Sequence, residues 1–115
     1  MNLDAIMQTF IVESREQLEA MESALLLVEK SDAPAEIVNS IFRSAHTIKG
    51  SAGLFSLDAI VDFTHVVESV LDGVRAGRVA ISRDLVVLLL ACRDHIGALI
   101  EAAAGGQRDI DPALA

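Results

Sequence analysis

Leu3, Met7, Phe10, Ser14, Leu18, Met21, Leu25 and Val28 recur at alternating steps of three and four. That spacing lays one buried stripe along a long first helix and leaves the intervening acidic residues on a solvated face. The pattern breaks at Ser31-Asp32-Ala33-Pro34. Asp32 or Ala33 is placed to cap, and Pro34 suits the first turn of a second helix, where its missing N–H costs nothing. Ile37, Ile41, Ala45, Ile48 and Ala52 form the core stripe of that helix, which is predicted to end near Ala52. Gly53-Leu54-Phe55-Ser56 reads as a stop and a restart, with Gly53 near the C-terminal cap and Ser56 capping a third helix.

The third stripe is Leu57, Ile60, Thr64, Val67, Leu71 and Val74, and it ends where Gly73 and Gly77 loosen the pattern. Ser82 opens a fourth helix whose apolar positions, Leu85, Leu88, Leu89, Cys92, Ile96, Leu99 and Ile100, are dense enough to pack against two neighbours. Amphipathic helices joined by short connections predict an all-α fold, an antiparallel up-and-down four-helix bundle over residues 1–106. Residues 107–115 form a C-terminal tail, and Asp111-Pro112 within it is a helix-start signal, so a truncated fifth helix is expected there.

His46 is the position that the stripes do not explain. On a helical wheel the mean direction of the second core stripe points ~140° away from it, which turns the ring toward solvent. Lys49 lies one turn further along the same face, with Gly50 and Gly53 beside it. A glycine inside a helix costs roughly 1 kcal/mol relative to alanine, and here two of them clear side chains from around the ring, so that another protein's backbone could reach it. A hairpin turning near Phe55 puts His46 about nine residues, or ~13 Å, before the turn and His65 about as far after it. Glu68 follows His65 by one helical turn. His46, Lys49, His65 and Glu68 are therefore expected to form one polar cluster across two helices.

Composition narrows what such a cluster can serve. A chain of 115 residues fits one domain. It is 52% hydrophobic yet has no Trp or Tyr and four Phe, so its core is aliphatic, as suits packed helices. Nine Lys and Arg against seventeen Asp and Glu give a formal charge of -8, which repels phosphate backbones and argues against nucleic acid as a partner. The lone Cys92 cannot form an internal disulfide and reads as a buried thiol, in keeping with a reducing compartment. The apolar run from Leu85 to Cys92 is too short to span a bilayer, and Met1-Asn2-Leu3-Asp4 lacks the basic start of a signal peptide. A cytoplasmic chain with no membrane insertion is expected.

A carboxylate bonded to one nitrogen of a neutral imidazole fixes its tautomer and makes the other nitrogen a better nucleophile. Glu68 is placed to do this for His46, and Lys49 to neutralise an incoming phosphoryl group. The sequence holds no Gly-x-x-x-x-Gly-Lys phosphate loop, so a phosphoryl donor has to come from elsewhere. Spacing alone does not separate this reading from a helix surface whose histidine, lysine and glutamate have no task. His46, His65 and Glu68 as metal ligands form a weaker alternative, because Lys49 and Gly50 stand where a second ligand on the same helix belongs. Ser44, Thr47 and Ser51 lie near His46 but lack a separate oxyanion site. His95, next to Arg93 and Asp94, reads as a solvated residue.

Phe42-Arg43-x-x-His46-Thr47-x-Lys49-Gly50, followed by His65-x-x-Glu68, resembles the histidine phosphotransfer (HPt, P1) domain of CheA-type chemotaxis kinases over nearly the whole chain. The resemblance implies that His46 accepts phosphate at Nε2 from ATP on a separate kinase domain and passes it to an aspartate of a CheY-like response-regulator receiver. It further implies that Glu68 bonds Nδ1, with Lys49 and His65 in the same network. Magnesium is expected on the receiver, ATP on the kinase domain, and neither cofactor nor metal on this domain, which would be a carrier and not a complete enzyme. Phe42, Arg43, Gly50 and Gly53 are the expected docking residues around His46. Ser56 departs from the family, where many relatives have glycine after the phenylalanine. A helical adaptor that binds receiver or scaffold without phosphorylation is the alternative from a different class.

Overall fold

A computed structural model describes residues 3–106 and contains four helices: α1 (Leu3–Leu27), α2 (Pro34–Leu54), α3 (Asp58–Arg75) and α4 (Arg83–Gly106). A single 3-10 turn, Val28–Lys30, tightens the exit from α1. Helix α2 packs against α1 and α3, and α4 closes the bundle against the same two helices. The expected all-α four-helix bundle is the observed architecture, and no strand occurs among the described residues. The expected fifth helix, Asp111-Pro112 included, lies outside them.

The stripes predict the core well. Met7, Phe10, Ser14, Leu18, Met21, Leu25 and Val28 are all buried, as are Ile41, Ala45, Ile48 and Ala52 from α2 and Ile60, Thr64, Val67 and Leu71 from α3. Ile11 and Val86 join them, whereas Leu88 is exposed and Cys92 only half buried. The dense apolar run in α4 therefore faces two neighbours over only part of its width, and the half-buried Cys92 thiol has its pKa raised by desolvation. His95 is not merely solvated, since its ring meets Phe63 edge-on with centroids 4.5 Å apart. Across the outer face, Arg15 forms a fork with Glu101 through Nε and Nη2, both at 2.7 Å, and ties α1 to α4.

The connection between α2 and α3 differs from the expected one in a way that fixes the register of the site. Helix α2 runs past Gly53 to Leu54, and Phe55 is the capping residue. The Ser56 N–H bonds Gly53 O at 3.2 Å and the Leu57 N–H bonds Ala52 O at 3.1 Å, the paired pattern of a Schellman turn. That turn needs a left-handed residue after the cap, and Ser56 supplies it at φ 55. Ser56 thus ends α2 and does not cap α3, whose N-cap is Leu57 with no side-chain bond. Phe55 is held from the side by Phe10 of α1, with ring centroids 5.5 Å apart. The same turn type ends α3, where Gly77 takes φ 79 and Arg78 N bonds Gly73 O at 2.8 Å. At the other junctions, Ser82 caps α4 as expected, its Oγ accepting from the Leu85 N–H at 3.1 Å. Ala33 is the N-cap of α2 but makes no side-chain bond; instead its own N–H donates to Ser31 Oγ at 2.9 Å.

Two substitutions test this account of the scaffold. Ser56→Gly relieves the left-handed strain of a Cβ, about 1–2 kcal/mol, against a smaller entropic loss, so a net gain of roughly 0.5–1 kcal/mol is expected by chemical denaturation. Thr64 Oγ1 is buried and has no hydrogen-bond partner among the described residues. Thr64→Val is therefore expected to stabilise by about 1 kcal/mol, and a loss of stability would contradict an unpaired hydroxyl.

Candidate functional site

Helices α2 and α3 run antiparallel away from the Schellman turn, so residues about equally far from it stand level. His46 follows the buried Ala45 and is turned out of the core, its side chain 64% exposed. Glu68 follows the buried Val67 on α3, and its side chain is only 6% exposed. The juxtaposition expected from the hairpin is present. What spacing alone does not reveal is that the carboxylate lies beneath the cluster, at the edge of the core, while both histidines lie above it.

Glu68 is the hub. Its Oε2 lies 2.7 Å from His46 Nδ1, and its Oε1 lies 2.5 Å from Lys49 Nζ. His65 Nδ1 is 3.8 Å from the same Oε1, too long for a hydrogen bond, so His65 stands beside the cluster without holding the carboxylate. Burial pushes the Glu68 carboxyl up, but the hydrogen bonds and charges of Lys49 and His46 outweigh burial and hold it below its ordinary value of 4.5. The group is thus an anion at neutral pH and can only accept hydrogen bonds. A proton must then sit on His46 Nδ1, and in the neutral ring the lone pair falls to Nε2, on the far side of the imidazole.

One aromatic neighbour flanks the ring, and a cation covers that neighbour in turn. Phe42, one turn before His46, lies nearly parallel to it, with centroids 6.2 Å apart and planes 8° from each other. Arg75, at the end of α3, places its guanidinium carbon 4.5 Å from the centre of the Phe42 ring and its Nη1 3.4 Å from Asp72. Phe42, one of the expected docking residues, is half buried and already in contact with its own molecule on both counts. The i, i+4 spacing of Phe42 and His46 could have signalled the stack; nothing local pointed to Arg75. Arg43, Gly50 and Gly53 are exposed, and a Cβ built on either glycine meets nothing within 4 Å. The chain itself gives no steric reason for these glycines. Among the described residues, no group of three or more His, Cys, Asp or Glu is placed to hold a metal ion, and no helix is long and apolar enough to cross a membrane.

Comparison with known proteins adds the family. Residues 5–106 match the Hpt domain. Chemotaxis protein CheA of Rhizobium meliloti (strain 1021) is 41% identical over 106 residues, covering 92% of this chain and 14% of that protein. The CheA of Treponema pallidum (strain Nichols) is 38% identical over 103 residues, covering 90% of this chain and 13% of the relative. The chain thus spans a small part of these curated relatives. Among solved structures, the CheA phosphotransferase domain from Thermotoga maritima superposes with a TM-score of 0.82 at 28% identity, covering 90% of this chain and 99% of that one. The phosphorylated P1 domain of CheA3 in complex with CheY6 from R. sphaeroides gives 0.79 at 30% identity, covering 89% and 80%.

The buried carboxylate makes a signed prediction for stability against pH. Because the folded-state pKa of Glu68 lies below its ordinary value, its contribution is present above pH 4.5 and is lost as pH falls through the folded value. At neutral pH, Glu68→Gln is expected to cost about 1–3 kcal/mol, since Lys49 loses its charged partner. That difference between wild type and variant should shrink in urea unfolding series carried below pH 4.5, and a difference that grows with acid would contradict the site.

Proposed function

The chain belongs to the Hpt domain family, and on that footing we propose that it is the histidine phosphotransfer domain of a CheA-type chemotaxis kinase. The observation that carries this reading is the 2.7 Å bond between the exposed His46 ring and the buried, anionic Glu68. It leaves Nε2 as an uncapped nucleophile on a rigid helix. In the first step the Nε2 lone pair attacks the γ-phosphorus of ATP held by a separate kinase ATP-binding domain, the P–O bond breaks, and ADP leaves. The ring becomes a phospho-imidazolium whose Nδ1 proton stays in the bond to Glu68, where the carboxylate offsets the new positive charge. In the second step a carboxylate oxygen of a receiver aspartate attacks the same phosphorus, the P–N bond breaks, and its electron pair returns to Nε2.

The other residues have parts in the same scheme. Lys49 is held beside the ring by Glu68 and brings positive charge to the phosphoryl group. His65 stands beside the cluster, its Nδ1 3.8 Å from Glu68 Oε1. Arg43, Gly50 and Gly53 form the open ground beside His46, on which the kinase domain and a CheY-like receiver dock in turn. ATP on the kinase domain and Mg2+ on the receiver are supplied in trans, and the domain carries the group without a cofactor of its own. A cytoplasmic location is part of the same proposal.

His46→Gln is expected to abolish acid-labile labelling by a CheA kinase domain with ATP while leaving the far-ultraviolet dichroism of the bundle unchanged. Retained labelling would sink the assignment and favour a helical adaptor that binds without being phosphorylated. Glu68→Ala should slow labelling ~10-fold or more, the scale for losing a group that orients a reacting imidazole. Gly50→Ala is expected to stabilise the fold by about 0.5–1 kcal/mol, because its Cβ meets open space, and yet to slow transfer by crowding the docked partner.

A further inference from the structure

We propose that Arg75 is a positioning residue for His46, acting through the ring of Phe42. The proposal rests on the phosphotransfer reading for its consequence, but its geometry stands independently. An exposed imidazole tethered by one hydrogen bond is poorly fixed, because the histidine χ2 torsion has broad minima and the bond at Nδ1 alone leaves Nε2 free to swing. Phe42 narrows that freedom, its plane lying within 8° of the imidazole. The phenyl ring is itself only half buried, and it is Arg75 that covers it, with the guanidinium carbon 4.5 Å from the ring centre, inside the range of a cation–π contact. Asp72 holds that guanidinium from one turn earlier, at 3.4 Å.

The spacing supports a single device. Glu68, Asp72 and Arg75 follow one another at steps of four and three, so they line one stripe of α3 facing the groove with α2. From this stripe α3 holds the His46 ring twice: directly, by Glu68 at Nδ1, and two turns away, by Arg75 through Phe42. A plain surface role for Arg75, pairing with Asp72 and shielding an aromatic ring, would serve stability alone. A positioning role predicts in addition that loss of the guanidinium loosens the bond at Nδ1. A loosened imidazole drifts from the Nδ1–H form that the carboxylate imposes toward the Nε2–H form, which blocks the reacting nitrogen.

The test compares wild type with Arg75→Ala, Arg75→Lys and Phe42→Ala by two readouts. One is the tautomer of His46 from imidazole nitrogen chemical shifts at about pH 8, where ordinary histidines are neutral. The other is the rate of His46 labelling by a CheA kinase domain with ATP. Arg75→Ala should lower both the Nδ1–H fraction and the labelling rate, the latter about two- to fivefold, with Arg75→Lys closer to wild type. Phe42→Ala should do more, and the melting temperature of Arg75→Ala should stay near that of wild type. An unchanged tautomer in Arg75→Ala would overturn the proposal, whether or not labelling slows, because a slower rate alone would place Arg75 in the kinase contact. The nitrogen spectrum needs no kinase, so failure to label even the wild type would remove the phosphotransfer reading while the spectrum still decides the positioning role.

Discussion

A carboxylate on α3 sits at the edge of an aliphatic core, and two side chains from the preceding helix, α2, keep it ionised. Glu68 is 6% exposed and is engaged at one oxygen by Lys49 and at the other by His46. An ion so placed without partners would be expensive to keep, and the usual outcome would be a raised pKa and a neutral acid. Here the partners outweigh burial and the pKa falls. Everything chemical about the site follows from that balance: an anion accepts and never donates, so the proton is fixed on Nδ1 and the lone pair on Nε2. The same contact joins α2 to α3 at one level.

That level is set further up the chain. The Schellman turn at Phe55, Ser56 and Leu57, clamped laterally by Phe10, fixes how α2 and α3 leave each other, and about two turns of α2 and three of α3 then carry the register to His46 and Glu68. An aliphatic four-helix scaffold suits this task because the helices hold positions rigidly while leaving outward faces free for partners. The His46 ring is solvent-exposed, and its contacts come from beneath and beside it, not from a covering loop. Glu68 supplies the first restraint, and Phe42 under Arg75 the second.

Much of this was legible in the sequence for a definite physical reason. The spacing of three and four that buries Met7, Phe10, Leu18, Ile41, Ile48, Ile60 and Leu71 also tells which residues are not buried, and His46 stood out by that contrast. Helical spacing set Lys49 one turn from it, and hairpin arithmetic then brought Glu68 and His65 to it. What escaped were features that depend on the third dimension of packing. The depth of Glu68 depends on how closely α2 and α3 approach, and its neighbour Val67 gave no sign of it. Ser56 looked like a cap because serine favours that role, whereas the chain uses it at φ 55, a position that glycine fills without strain. Arg75 is distant from Phe42 in sequence and meets it only because a long side chain at the end of α3 reaches back across the groove. Leu88 and Cys92 were placed in the core by density of apolar residues, but a helix with two neighbours still has a third side open to water.

The central claim is that Glu68 reserves Nδ1 of His46 and so directs phosphorylation to Nε2. It is tested most directly by labelling the histidine nitrogens with nitrogen-15, phosphorylating the chain with a CheA kinase domain and ATP, and reading which nitrogen shows one-bond coupling to phosphorus. Coupling at Nε2 of His46, with the Nδ1 proton still present, is the predicted result. Coupling at Nδ1, or at His65 or His95, would contradict it.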